Sequence, residues 1–91
     1  MNEELTFGGE PVILEWVDGE VLIKCKNVIG TLTQVEGFIN EKGYVRHYFG
    51  ECKIRKWTDH KIKIDCLEDT KENFKKLYEQ AEAYKTINED E

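Results

Sequence analysis

Hydrophobic and polar positions alternate with a period of two along much of this chain and with a helical period near its end. In residues 20–26, EVLIKCK, Val21, Ile23 and Cys25 share one side while Leu22, Lys24 and Lys26 share the other. Residues 61–66, KIKIDC, repeat the pattern, with Ile62, Ile64 and Cys66 inward and Lys61, Lys63 and Asp65 outward. Such alternation marks half-buried strands. PVILEWV at 11–17 reads as a further strand, although its alternation leaves the facing of Trp16 ambiguous. Asp18-Gly19 between two apolar runs predicts a two-residue hairpin turn. Gly8, Gly9 and Pro11 end a loose lead-in over residues 1–10, from which Leu5 and Phe7 could still dock.

The middle of the chain supports two readings. Leu32, Val35, Phe38 and Ile39 have partly helical spacing, but Gly30, Gly37 and the β-branched Thr31, Thr33 and Val35 are poor helix formers. Asn40-Glu41-Lys42-Gly43 fits a hairpin loop ending in a left-handed glycine. That turn would set Ile39 opposite Val45, Gly37 opposite His47 and Val35 opposite Phe49. Val35, Ile39, Val45 and Phe49 would then share one face, and Phe38, Tyr44, Arg46 and Tyr48 the other. The sorting favours the hairpin over the helix. Beyond Phe49 the inward parity changes, which predicts a β-bulge at Gly50-Glu51 and turns Lys53, Arg55 and Trp57 outward.

Phe74, Leu77, Tyr78, Ala81 and Tyr84 form one apolar stripe at helical spacing. The stripe predicts a helix over 69–86, with Asp69 and Glu72 as a capping-box-like start and 88–91 as an acidic tail. The expected fold class is therefore α+β. A five-stranded antiparallel meander, open or curled into a small barrel, would carry one C-terminal helix packed on its apolar face.

Composition narrows the picture. Ninety-one residues, 40% hydrophobic and 35% charged, amount to a single globular domain with one modest core. No apolar run reaches the roughly 20 residues that span a bilayer, so no membrane partner is expected. The acidic start MNEELTFGGE has no signal-peptide pattern, and a cytoplasmic location is the expectation. Cys25, Cys52 and Cys66 each lie two residues from an isoleucine, which reads as buried free thiols. They lack the short pairing of structural zinc, so no metal and no cofactor is expected.

Charge is uneven. Residues 1–41, 42–63 and 64–91 carry net charges of −6, +5 and −5. The basic block predicts a binding face for a protein or an anionic ligand, made by Phe38, Tyr44, Arg46, Tyr48, Lys53, Arg55, Trp57, Lys61 and Lys63. Lys24 and Lys26 join the same outer face, and pairing with Glu15, Glu20, Glu36 or Asp65 would neutralise part of it. His47 is expected tucked into the core and His60 solvated in a turn. No nucleophile–base constellation, Gly-rich phosphate loop or H-E-x-x-H motif is present, so catalysis is not expected. The reading is a small acidic inhibitor or adaptor that docks on a larger protein. One version is an accessory protein of a phage or mobile element acting on nucleic-acid-handling machinery. The alternative is a nucleic-acid or nucleotide binding module using the basic and aromatic face. A net charge of −6 weighs against that alternative, because such affinity comes mainly from neutralising phosphates.

Overall fold

Two-residue reversals organise the strands. The computed structural model describes residues 4–39, 48–50 and 52–90. Its first pairing is a short hairpin of β1 (Thr6–Phe7) and β2 (Glu10–Pro11), so the lead-in is built structure from Thr6 onward. β3 (Ile13–Val17), β4 (Glu20–Cys25) and β5 (Val28–Thr31) form an antiparallel meander. The turn between β3 and β4 is the expected Asp18-Gly19, with φ of 52° and 79°, the left-handed pair that a tight hairpin needs. A second reversal, which the alternation did not announce, falls at Lys26-Asn27, where Cys25 faces Val28 and Lys26 has φ of 54°.

The chain then winds into helix α1 (Leu32–Ile39), not the expected strand. Its start explains why. Thr31 Oγ1 accepts the Gln34 amide at 3.2 Å, and Gln34 Oε1 accepts the Thr31 amide at 2.8 Å. This reciprocal capping box satisfies two backbone donors at once, while Leu32 and Val35 bury themselves in the core. These local gains outweigh the modest propensity cost of the β-branched residues and Gly37. The register from Asn40–Gly43 is thereby lost, since its first partner strand is a helix. Residues 40–47, including His47, lie outside the described residues.

A second meander follows, with order β6 (Tyr48–Phe49), β7 (Cys52–Trp57), β8 (Lys61–Ile64) and β9 (Leu67–Thr70). Phe49 pairs directly with Cys52, so a chain reversal, not a bulge, accounts for the parity change at Gly50. The bulge lies further on, where the register slips between Ile54 and Lys56. β9 was not anticipated. It begins after a turn at Asp65-Cys66 that turns Cys66 out to solvent, in place of the inward position its alternation implied. The strands thus form three antiparallel sheets, including the β1–β2 hairpin, instead of one five-stranded meander, and no described sheet closes into a barrel.

The C-terminal helix α2 spans Lys71–Glu89 and reaches into the stretch expected as a tail. Thr70, one residue later than expected, caps it by accepting the Asn73 amide at 3.1 Å. Asp69 works beside the cap. Its carboxylate accepts the Thr70 amide at 2.7 Å, the Asn73 side-chain amide at 2.6 Å and the distant Gly8 amide at 2.9 Å. Asn73 also donates to the Thr6 carbonyl at 2.9 Å, so the N-terminal hairpin is fastened to the start of α2. Asp69→Ala is expected to cost about 1–3 kcal/mol, since it strands donors in a half-buried place. A lowered urea midpoint checks this, with Asp69→Asn recovering part of the loss.

One contiguous core joins these pieces. Phe74, Leu77 and Ala81 of α2 meet Phe7, Val21, Ile23, Phe49, Ile54, Trp57, Ile62 and Ile64. Trp16 packs partly buried against its edge. No charged side chain is buried among the described residues. Among them, too, no helix is long and apolar enough to cross a membrane.

Candidate binding face

The β7–β8 ladder pairs Ile54 with Ile64, Lys56 with Lys63 and Trp57 with Ile62. Ile54, Ile62, Ile64 and Trp57 are buried, so the lysines between them project from the opposite side, away from α2. Arg55 is the additional residue at the bulge. It exchanges the facing of the next two positions, placing Lys56 on the exposed side and Trp57 in the core.

Trp57 therefore cannot serve as an outward anchor. It is 3% exposed, its indole meets Phe74 edge-on at 6.0 Å, and Lys71 Nζ lies 5.2 Å from its ring centre. Lys53, Arg55, Lys61 and Lys63 are exposed, as expected, and share this sheet. Phe38 lies in α1 and Tyr48 in β6. Tyr44 and Arg46 lie outside the described residues. Lys24 and Lys26 belong to the other meander, where Glu15 at 2.9 Å and Glu10 at 3.6 Å pair with them.

Sequence reasoning missed Lys56. The signal was available: strict alternation would have buried this lysine and exposed the neighbouring tryptophan. That is unfavourable at both positions.

The cations divide into two groups. At one end, Arg55 Nε donates to Asp65 Oδ1, and this hydrogen bond holds the Asp65 carboxyl below its ordinary range. At the other end lies a cleft of about 410 Å³ lined by Lys56, Thr58, His60, Lys61, Lys63 and Glu68. Lys61 Nζ donates to Glu68 Oε1 at 2.9 Å. That bond, with the charges of Lys61, Lys63 and Lys56, lowers the Glu68 pKa. Glu68 thus stays ionised from neutral into mildly acidic pH, and three lysines against one carboxylate leave the cleft with an excess of two positive charges. Thr58 fixes the turn above it by accepting the His60 and Lys61 amides and donating to the Lys61 carbonyl.

Lys56 opposite Lys63 is the unusual element, because like charges directly across a ladder repel. Glu68, directly opposite Lys63 on β9, offsets part of that repulsion. A second cleft, of about 430 Å³, lies along the two helices and is lined by Glu79, Glu82 and Glu89 with Leu32, Ala83, Lys85 and Thr86. The molecule therefore presents a positive sheet face and a negative helical flank. Among the described residues, no group of three His, Cys, Asp or Glu side chains is placed to hold a metal ion.

Cys25 and Cys52 are buried, and Cys66 is exposed. Burial pushes the Cys25 thiol up, with Glu10 adding to the effect. Burial and the neighbouring Cys66 push the Cys52 thiol up to about 11.

No family model matches this chain, and no curated protein or solved structure is significantly similar to it.

Proposed function

We propose that this chain is a non-catalytic binding protein that docks on a larger protein through the cationic face of β7 and β8. The observation that carries the reading is the cross-strand pair Lys56–Lys63 beside Lys61, concentrated at one cleft of an otherwise acidic molecule. An acidic patch on a partner would relieve the repulsion between the two lysines, a gain that solvent supplies only in part. Complementary charge of this kind speeds encounter and excludes wrong partners. Screening over about 8 Å at physiological salt leaves such a patch effective at short range despite the global charge.

A nucleic acid or nucleotide is the second reading, supported by the same cations. The burial of Trp57 weakens it by removing one of the rings expected to stack a base. The test is a pull-down with the intact chain beside the Lys56→Glu, Lys61→Glu, Lys63→Glu triple variant, alongside oligonucleotide shifts at two salt concentrations. Like-charge contact costs several kcal/mol, so the variant is expected to lose its protein partner by about a hundredfold. A partner that the variant retains unchanged would reject this face. Oligonucleotide binding that weakens steeply with salt and vanishes in the variant would transfer the face to the second reading.

A further inference from the structure

We propose that Cys52 and Cys66 are a dithiol pair that closes into a reversible intrachain disulfide by exchange with a small-molecule disulfide such as oxidised glutathione. The two Sγ atoms are 3.0 Å apart, and neither is bonded to another cysteine. Their proximity follows from the ladder. Ile54 faces Ile64, and the Asp65 amide donates to the Lys53 carbonyl at 3.0 Å, so the next positions along set Cys52 opposite Cys66. Lys53 and Asp65 occupy the hydrogen-bonded position, which leaves the cysteines on the closer, non-hydrogen-bonded one. A regular pair at such a position holds its Cα atoms about 4.5 Å apart, within the span a disulfide bridges. Closing the bond to about 2.05 Å requires the sulfurs to approach by roughly 1 Å, within reach of a turn residue.

The two thiols are unequal in a useful way. Cys66 is exposed at the β8–β9 turn and can meet an oxidant, whereas Cys52 is 5% exposed and is reached through Cys66. Cys25 is occupied elsewhere, with its thiol directed at the Phe7 and Glu10 carbonyls at 3.5 and 3.7 Å. The Cys66 thiolate attacks oxidised glutathione, breaking its S–S bond and releasing one glutathione thiolate. Cys52 then attacks Cys66 Sγ, breaking the Cys66–glutathione disulfide, and gives up its proton to the second glutathione as it leaves. Two protein thiols are oxidised by two electrons, one glutathione disulfide is reduced to two thiols, and the two protons pass to the departing thiolates. The bond would secure the turn carrying Asp65, the partner of Arg55. The inference does not depend on which partner the cationic face takes.

The test equilibrates the full chain in glutathione buffers of increasing oxidised fraction, followed by acid quench, intact mass and digestion under non-reducing conditions. The expected result is the loss of two hydrogens in mass, a cross-linked peptide joining residues 52 and 66, and an upward shift of the urea midpoint that dithiothreitol reverses. The exposed site makes Cys66→Ser a safe variant, and it should show neither the cross-link nor the shift. Glutathione remaining on Cys66 at equilibrium while Cys52 stays a free thiol would overturn the proposal. So would a cross-link through Cys25 or between two chains, or thiols that stay reduced throughout.

Discussion

Phe74→Ala is expected to remove about 3–5 kcal/mol of stability, the range for truncating a buried phenylalanine. For a chain of 91 residues, whose total lies at about 5–14 kcal/mol, that is a large fraction. The effect is large because the ring joins separate parts of the fold. It meets Phe7 of β1 at 5.5 Å, Phe49 of β6 at 6.4 Å and Trp57 of β7 at 6.0 Å, all edge-on, and is itself fully buried. Alanine would remove these aromatic contacts and leave a cavity where hairpin, second meander and helix converge. Equilibrium urea unfolding followed by tryptophan fluorescence measures it. The exposed Lys75→Ala, on the same helix, should stay within about 0.5 kcal/mol. A Phe74→Ala loss below about 1 kcal/mol would mean that the aromatic cluster is not the centre of the core.

The second large effect is expected at Gly50. Its φ is +62°, and a Cβ there would run into the Ile29 carbonyl of β5. An alanine must therefore adopt a left-handed backbone, at about 1–2 kcal/mol, and also push β5 and β6 apart. Gly19→Ala supplies the comparison, because Gly19 has φ of +79° with open space around its Cβ position. That variant should show the conformational cost alone. Gly50→Ala should exceed it by at least about 1–3 kcal/mol, the usual penalty for overpacking. Equal thermal midpoints for the two variants would contradict the close approach of the meanders.

These two sites also show which parts of the fold could be read in advance. The apolar stripe of α2 was legible because Phe74, Leu77 and Ala81 recur at helical spacing, and the structure buries all three. Asp18-Gly19 was legible because its residues match the backbone angles of the turn. Lys26-Asn27 and Asp65-Cys66 were not, since neither carries a glycine to betray a reversal; the strands enforce these turns. α1 was misread for a different reason. Propensity and the sorting of faces over residues 31–49 favour a strand, whereas the short-range signal Thr31-x-x-Gln34 favours the helix. The cationic face was legible in Lys53, Arg55, Lys61 and Lys63 through simple alternation. Lys56 and Trp57 were exchanged because a bulge shifts parity without leaving any glycine behind.

Strand neighbours in this fold are neighbours in the chain. Each meander can therefore assemble from nearby segments, with little loop-closure entropy lost at any one step. The bonds from Thr6 and Gly8 to Asp69 and Asn73 are different, since they bridge more than 60 residues. They can form only once the start of α2 is already in place. The N-terminal hairpin is thus a latch whose closure costs more loop entropy than the short turns within either meander.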